Sequence, residues 1–277
     1  MSALVTTPDP GLFGPDSLTW TVHSDPSMAL AGLRALLLQA LHPLAMAGVA
    51  QHSGFNDDPW GRLMRTADFV GLSTYGETGE VRRAAARIRG MHKRLAGIEP
   101  ESGTPYRVND PKLLLWVHCC EVESFLTTAV RSGLRLSRDE QDTYYAEQTI
   151  GATLVGLDEQ DVPDSVDAME RYFAAVRPQL RVTKAARDAA RFVLWPPMPT
   201  LVTLGTPARP AWVAMAAAAA AMLPRWAREM YGVPGIATSD RAATAAGLAL
   251  RSGMLVLPER LLHGPHHRAA RARMGLA

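Results

Sequence analysis

Cysteine is almost missing from this 277-residue chain: it has two, Cys119 and Cys120, side by side. A disulfide framework and a four-cysteine zinc site are thereby excluded, and a reducing compartment is expected. Lysine is nearly as scarce, with 3 against 26 arginines, which reads as the codon bias of a GC-rich genome. No sign of charge dominates either. With 29 basic and 27 acidic residues the net charge is +2, too balanced for nucleic acid as the main partner. Alternating strand patterns are scarce, no 20–50-residue repeat is visible, and Rossmann, P-loop and G-x-S-x-G glycine patterns are absent. Met1 to Pro10 shows no basic and then apolar leader, so the expected location is cytoplasmic, with peripheral membrane association left open.

What is present is apolar and helical. Apolar residues are 47%, charged residues 20% and the mean hydropathy is -0.03, the composition of a folded chain. Met28 to Ala50 forms an almost wholly apolar run of 23 residues, long enough to span a bilayer. It carries Arg34, Gln39, His42 and Pro43, and one charge near the bilayer centre costs about 2.5–3.5 kcal/mol. The run therefore reads as core helices bent at Pro43, without stable membrane insertion. Start signals at Ser24-Asp25-Pro26, Asp57-Asp58-Pro59, Thr78-Gly79-Glu80, Asp110-Pro111, Ser137 to Glu140, Asp164 and Thr183 divide the chain into helices. Further helices are expected near 210–222, 224–231 and 240–262. The fold class is all-α, one domain of about nine or ten helices over residues 1–263. Residues 264–277, with His266, His267, Arg268, Arg271 and Arg273, read as a solvated basic tail. The apolar stretch Ala211 to Leu223 suits a homodimer interface as well as a core.

The eight histidines carry most of the chemistry. Val81, Ala85, Ile88, His92 and Leu95 recur at helical spacing, which aims the His92 imidazole inward from a helix otherwise lined with arginines. It is either a hydrogen-bonded core histidine or a metal ligand. On the next long helix Leu114, His118, Glu121, Phe125 and Thr128 share a face, so an imidazole and a carboxyl lie one turn apart on an apolar stripe. They could pair with each other, orient another ligand, or form half of a metal site. The reversed, single His-x-x-Glu does not match the doubled Glu-x-x-His of di-iron bundles. His42 and His52 are ten residues apart, about 15 Å along a straight helix, and need a sharp bend at Pro43 to share a metal. Arg62 and Thr66 share a face at i, i+4, a bidentate donor beside a hydroxyl, and a common surface pair in its own right.

Taken together, His42-Pro43, His52-Ser53 with Phe55 and Asp58-Pro59, Arg62-x-x-x-Thr66, His92, Trp116-Val117-His118, Leu223-Pro224-Arg225-Trp226 and Tyr231-Gly232 resemble one family over roughly residues 14–260. It is the oxygenase family of latex-clearing protein (rubber oxygenase) and the fungal mycophenolic-acid-pathway oxygenase MpaB. The resemblance implies a globin-like core holding a non-covalent haem b, in keeping with the lack of a C-x-x-C-H attachment motif. It implies His92 as the axial metal ligand, Arg62 and Thr66 as the catalytic polar pair, and Arg62, Arg65, His42 and His118 as further cofactor contacts. Where the rubber oxygenase has a lysine that can cap the iron, this chain has Arg65. A guanidinium stays protonated and is a poor ligand, so five-coordinate or water-bound iron is expected.

The expected function is therefore a haem-dependent oxygenase that uses O2 on a hydrophobic small molecule. Two alternatives stay open: a non-catalytic haem or lipophile carrier, and a non-haem iron protein using His118, Glu121 and His42. Substrate-dependent O2 consumption separates the first from the enzyme, and iron without porphyrin identifies the second.

Overall fold

Capping side chains decide where the helices begin. The computed structural model describes residues 8–53, 58–233, 235–258 and 262–276; Phe55, one of the residues behind the family resemblance, lies outside them. The helices are α1 (Leu18–His23), α2 (Met28–Gln39), α3 (Pro43–His52), α4 (Pro59–Tyr75), α5 (Thr78–His92), α6 (Pro111–Arg131), α7 (Arg138–Val155) and α8 (Val166–Val176). Then come α9 (Lys184–Leu194), α10 (Thr200–Gly205), α11 (Ala208–Ala221), α12 (Arg225–Met230), α13 (Ala237–Leu255) and α14 (Pro265–Arg273). Proline occupies the first turn of α3, α4 and α6, where its missing N–H is no loss. Asp58 accepts from the Gly61 amide and Asp110 from the Lys112 amide, each at 2.9 Å. Ser137 and Glu140 close the reciprocal capping box of α7.

Helix α13 runs over Ala237–Leu255 where 240–262 is expected, and two expected caps are displaced. Ser165, and not Asp164, caps α8. Asp25 does not open α2 but holds the turn before it, accepting from the Ser27 amide and hydroxyl at 2.9 and 2.6 Å and from Arg251 at 2.7 Å. A two-stranded antiparallel hairpin, β1 (Ala96–Ile98) with β2 (Pro105–Arg107), follows α5 and escaped prediction because three-residue strands carry no alternation to read. The short helices α1 and α10 escaped for the same reason: six residues are too few for a period.

The apolar run breaks where Pro43 predicts, with α2 and α3 meeting at 108°. Helix α2 lies at the centre, its Leu30, Leu37 and Leu38 in one buried cluster with Trp116, Cys120, Phe125 and Leu126 of α6. Helix α6 is long and apolar enough to cross a bilayer, but 56% of its most apolar window is buried inside the fold. Helix α11 packs on α2 with Ala216 and Ala219, so one face of the alanine-rich segment is core.

The segment read as a solvated tail is the helix α14, packed on α4. Ala270 is fully buried, Arg273 donates to the carbonyls of Asp9 and Tyr75 at 2.8 Å, and His266 meets Asp68 at 2.8 Å. Arg273 is spent on carbonyls of the body, a use that charge density in a sequence does not reveal.

Candidate active site

Helices α4, α5 and α6 carry every sequence-derived candidate except His42 and His52. On α5, Val81 and Ala85 are buried and Ile88 and His92 half-buried, while Arg82, Arg83 and Arg87 face solvent. His92 is the last residue of the helix. Its Nδ1 is buried and has no hydrogen-bond partner among the described residues, and burial lowers its proton affinity. The imidazole is therefore neutral at pH 7, the form a metal requires.

Arg62, in the first turn of α4, is half-buried, and no described residue hydrogen-bonds or ion-pairs with its guanidinium. Burial first, and Arg65 second, lower its proton affinity without threatening its charge. It borders a cavity of about 80 Å³ whose other walls are mainly apolar, among them Ala45, Met46, Leu63, Val117 and Phe192. At about 30 Å³ per water, that holds two or three molecules of that size. Thr66 does not join Arg62 at this cavity. It is exposed and its hydroxyl donates to the Arg62 carbonyl at 3.0 Å, so the i, i+4 pair meets through the backbone. Arg65 is exposed and paired with Asp58 at 3.2 Å.

His118 and Glu121 lie one turn apart on α6, as their spacing requires. The His118 Nε2 is buried without a partner, and burial lowers the imidazole to about 4. Burial likewise raises the Glu121 carboxyl to about 7, and the group has no hydrogen-bond or ion-pair partner among the described residues. Helix α7 backs His118 closely: a Cβ added to Gly151 would sit 3.9 Å from the His118 ring. Helix α5 packs on the same α7, tied by Arg89 to the Leu154 carbonyl at 2.6 Å, so α7 supports both histidine-bearing helices.

His42 goes elsewhere. Its ring is buried, caps α3 by accepting from the Ala45 amide at 3.5 Å, and lies 5.9 Å from Trp116. Trp116 and His118 are two residues apart and point to opposite sides of α6. His42 is thus on the far side from His118, and the proposed set His118, Glu121 and His42 is not assembled. Among the described residues no three His, Cys, Asp or Glu side chains form a metal site. His52 is exposed and bonds the Ala96 carbonyl at 3.1 Å.

Sequence reasoning passed over His23. Thr74 donates its hydroxyl to the Val70 carbonyl, so its oxygen is left to accept from the His23 Nδ1–H at 2.8 Å, and the Tyr144 hydroxyl donates to Nε2 at 3.1 Å. Burial lowers this imidazole to about 3, and its fully bonded ring staples α1 to α4 and α7. It also passed over the arginine cluster of Arg34 and Arg131 on the other side of α6. Arg34 stands in the apolar run read as core, but its convergence with Arg131 on the Met222 carbonyl depends on contacts between distant residues.

The family model described as the catalytic domain of ER-bound oxygenase mpaB/B′ and rubber oxygenase matches residues 20–255. No curated protein and no solved structure matches the chain.

Proposed function

The chain belongs to the family of mpaB-type and rubber oxygenase catalytic domains, and is thus an oxygenase; from that premise we propose that it works with haem b and O2 on a hydrophobic small molecule, His92 being the iron ligand. The observation that carries the reading is the unpartnered, buried nitrogen of a neutral His92. An orphaned buried polar atom costs about 1–3 kcal/mol, and coordination to a metal is one way to satisfy it. A non-covalent haem also suits a chain with no cysteine pair spaced for attachment.

Haem b, held by His92, would supply an iron centre able to bind and activate O2. The remaining chemistry belongs to the chain. Arg62 keeps its proton and offers up to five N–H donors toward an anion or a developing negative charge, in a setting where few waters compete. Arg65, always protonated and paired with Asp58, cannot serve as a nitrogen ligand. Thr66 fixes the first turns of α4 through its bond to the Arg62 carbonyl, which orients Arg62 from below. His118 and Glu121 provide a neutral base and a neutral acid at pH below 7, able to accept and to donate one proton respectively. The apolar walls beside Arg62 suit O2 and an alkyl or alkenyl group; at about 80 Å³ the cavity is smaller than the roughly 300–1,000 Å³ of common ligand sites, so a larger substrate requires side chains to swing aside.

The test is an absorption scan of the purified chain reconstituted with haemin. A Soret band is expected, lost or shifted in His92→Ala, together with substrate-dependent O2 uptake by the wild type. No band, or one that is the same in His92→Ala, overturns the assignment; a band lost in His118→Ala instead moves the ligand to α6.

A further inference from the structure

A cleft of about 670 Å³ opens on the other side of the molecule's central pair, between α2, α6, the turn before α12, and α13. It shares no lining residue with the cavity at Arg62. Its volume is in the range of ligand sites. Met222, Leu223, Pro224, Ala245 and Leu248 give its wall an apolar strip, and four guanidinium groups border it against two carboxylates.

The two carboxylates are already satisfied. Glu123 takes both oxygens to the buried Arg34, at 2.6 and 2.9 Å, and accepts a third bond from Thr127 at 3.0 Å. Asp240 pairs with Arg225 at 2.7 Å and with the buried Arg228. Arg131 and Arg241 are left without an acidic partner among the described residues. Arg131 is half-buried and donates only to neutral acceptors, the Met222 carbonyl at 3.0 Å, the Asp240 carbonyl at 3.1 Å and the Thr244 hydroxyl at 3.2 Å. Burial lowers its proton affinity most; its cationic neighbours Arg34 and Arg228 lower it further, and the Asp240 and Glu123 carboxylates oppose them. Arg241 is exposed at the rim and has no hydrogen bond or ion pair among the described residues.

An aliphatic trough with surplus guanidinium charge is complementary to one kind of molecule. We propose that this cleft binds a single-chain amphiphile with a carboxylate head, the head on Arg241 and Arg131 and the alkyl chain along Met222, Leu223 and Leu248. The proposal stands apart from the haem reading and holds whether or not His92 binds iron.

Laurate is the probe, with acetate for the head alone and dodecanol for the tail alone, each titrated calorimetrically into the full chain. Saturable binding of laurate is expected, with acetate and dodecanol at least about tenfold weaker, since a charge-assisted hydrogen bond is worth about a factor of ten in affinity. Arg241→Ala should weaken laurate about tenfold, and Ala245→Trp, which fills the trough, should remove binding. Both positions are exposed, so both variants should keep the wild-type melting temperature without ligand. Binding is also expected to survive His92→Ala, which separates this cleft from the other site. Absence of laurate binding, equal binding of dodecanol, or a laurate affinity untouched by Ala245→Trp overturns the proposal.

Discussion

Glu121 and His118 titrate in opposite directions, and together they hide a pH dependence that either would show alone. Burial lifts the Glu121 carboxyl from 4.5 to about 7 and depresses the His118 imidazole from 6.5 to about 4. Between pH 4.5 and 6.5 the folded chain therefore holds a neutral acid and a neutral base, and the unfolded chain a carboxylate and an imidazolium. Each state has one proton on the pair. Stability changes with pH only through the difference in bound protons, so the pair contributes no slope in this window. Glu121→Gln leaves His118 alone. Its folded-state affinity is depressed, the unfolded state binds more protons, and the variant loses stability as pH falls from 6.5 toward 4. At about 1.4 kcal/mol per pH unit the full loss is about 3 kcal/mol. His118→Gln leaves Glu121, whose contribution is fully present below 4.5 and is lost as pH rises toward 7, again by about 3 kcal/mol. Urea unfolding followed by circular dichroism at pH 4.5 and 6.5 measures both variants against wild type, so that every other group cancels. Opposite slopes are expected. If both variants run parallel to the wild type to within about 0.5 kcal/mol, these groups are hydrated and the argument fails.

The interior elsewhere offers two sharper perturbations of stability. Glu123→Ala strips the carboxylate from Arg34, which is 1% exposed, and should destabilise by about 3–5 kcal/mol in urea unfolding; a loss under about 1 kcal/mol would mean that Ser124 and the Met222 carbonyl suffice. Gly247→Ala places a Cβ 2.3 Å from the Met222 Cε and 2.6 Å from the Ser132 hydroxyl. Met222 is 1% exposed and has little room to retreat, so a lowered urea midpoint worth about 1–3 kcal/mol is expected, and an unchanged midpoint would show that it moves freely.

The helices were legible because their ends carry the chemistry that starts and stops them. Pro43, Pro59 and Pro111 each sit in a first turn, and Asp58, Asp110, Ser137 and Thr183 each cap as their positions suggest. What stayed hidden depends on contacts between distant residues. The partners of His23 are 51 and 121 residues away, and Arg131 reaches across 91 residues to the Met222 carbonyl. Helical period told which way His92 and His118 face, because that is set within two turns. It could not tell that His42, also on an apolar stretch, turns to Trp116 and the far side of α6, because that depends on a 108° bend. Nor could charge density tell that α14 is a packed helix, since Arg273 finds its carbonyl acceptors in residues at the other end of the chain.

Helix α6 separates two kinds of interior. On one side Arg34, Glu123 and Ser124 satisfy one another, with the Glu123 carboxylate also taking the Thr127 hydroxyl. Glu123 is five residues beyond His118, about 140° round the helix at 100° per residue. On the side of His118, its buried Nε2 and the half-buried Glu121 carboxyl have no partner among the described residues. A glutamate of α6 stands on each side, Glu123 paired with Arg34 and Glu121 without a partner among the described residues. A polar group buried for stability alone would lose about 1–3 kcal/mol by staying unpaired, whereas a leucine at either position would lose nothing of the kind. A partner that is not part of the chain would satisfy His118 and Glu121; the Thr128 hydroxyl of α6 is likewise buried without a partner among the described residues. Ligand binding on the face of His118 and Glu121 should bring the Glu121 carboxyl below about 7 if the ligand is cationic or donates to it, a change directly measurable by carboxyl infrared titration.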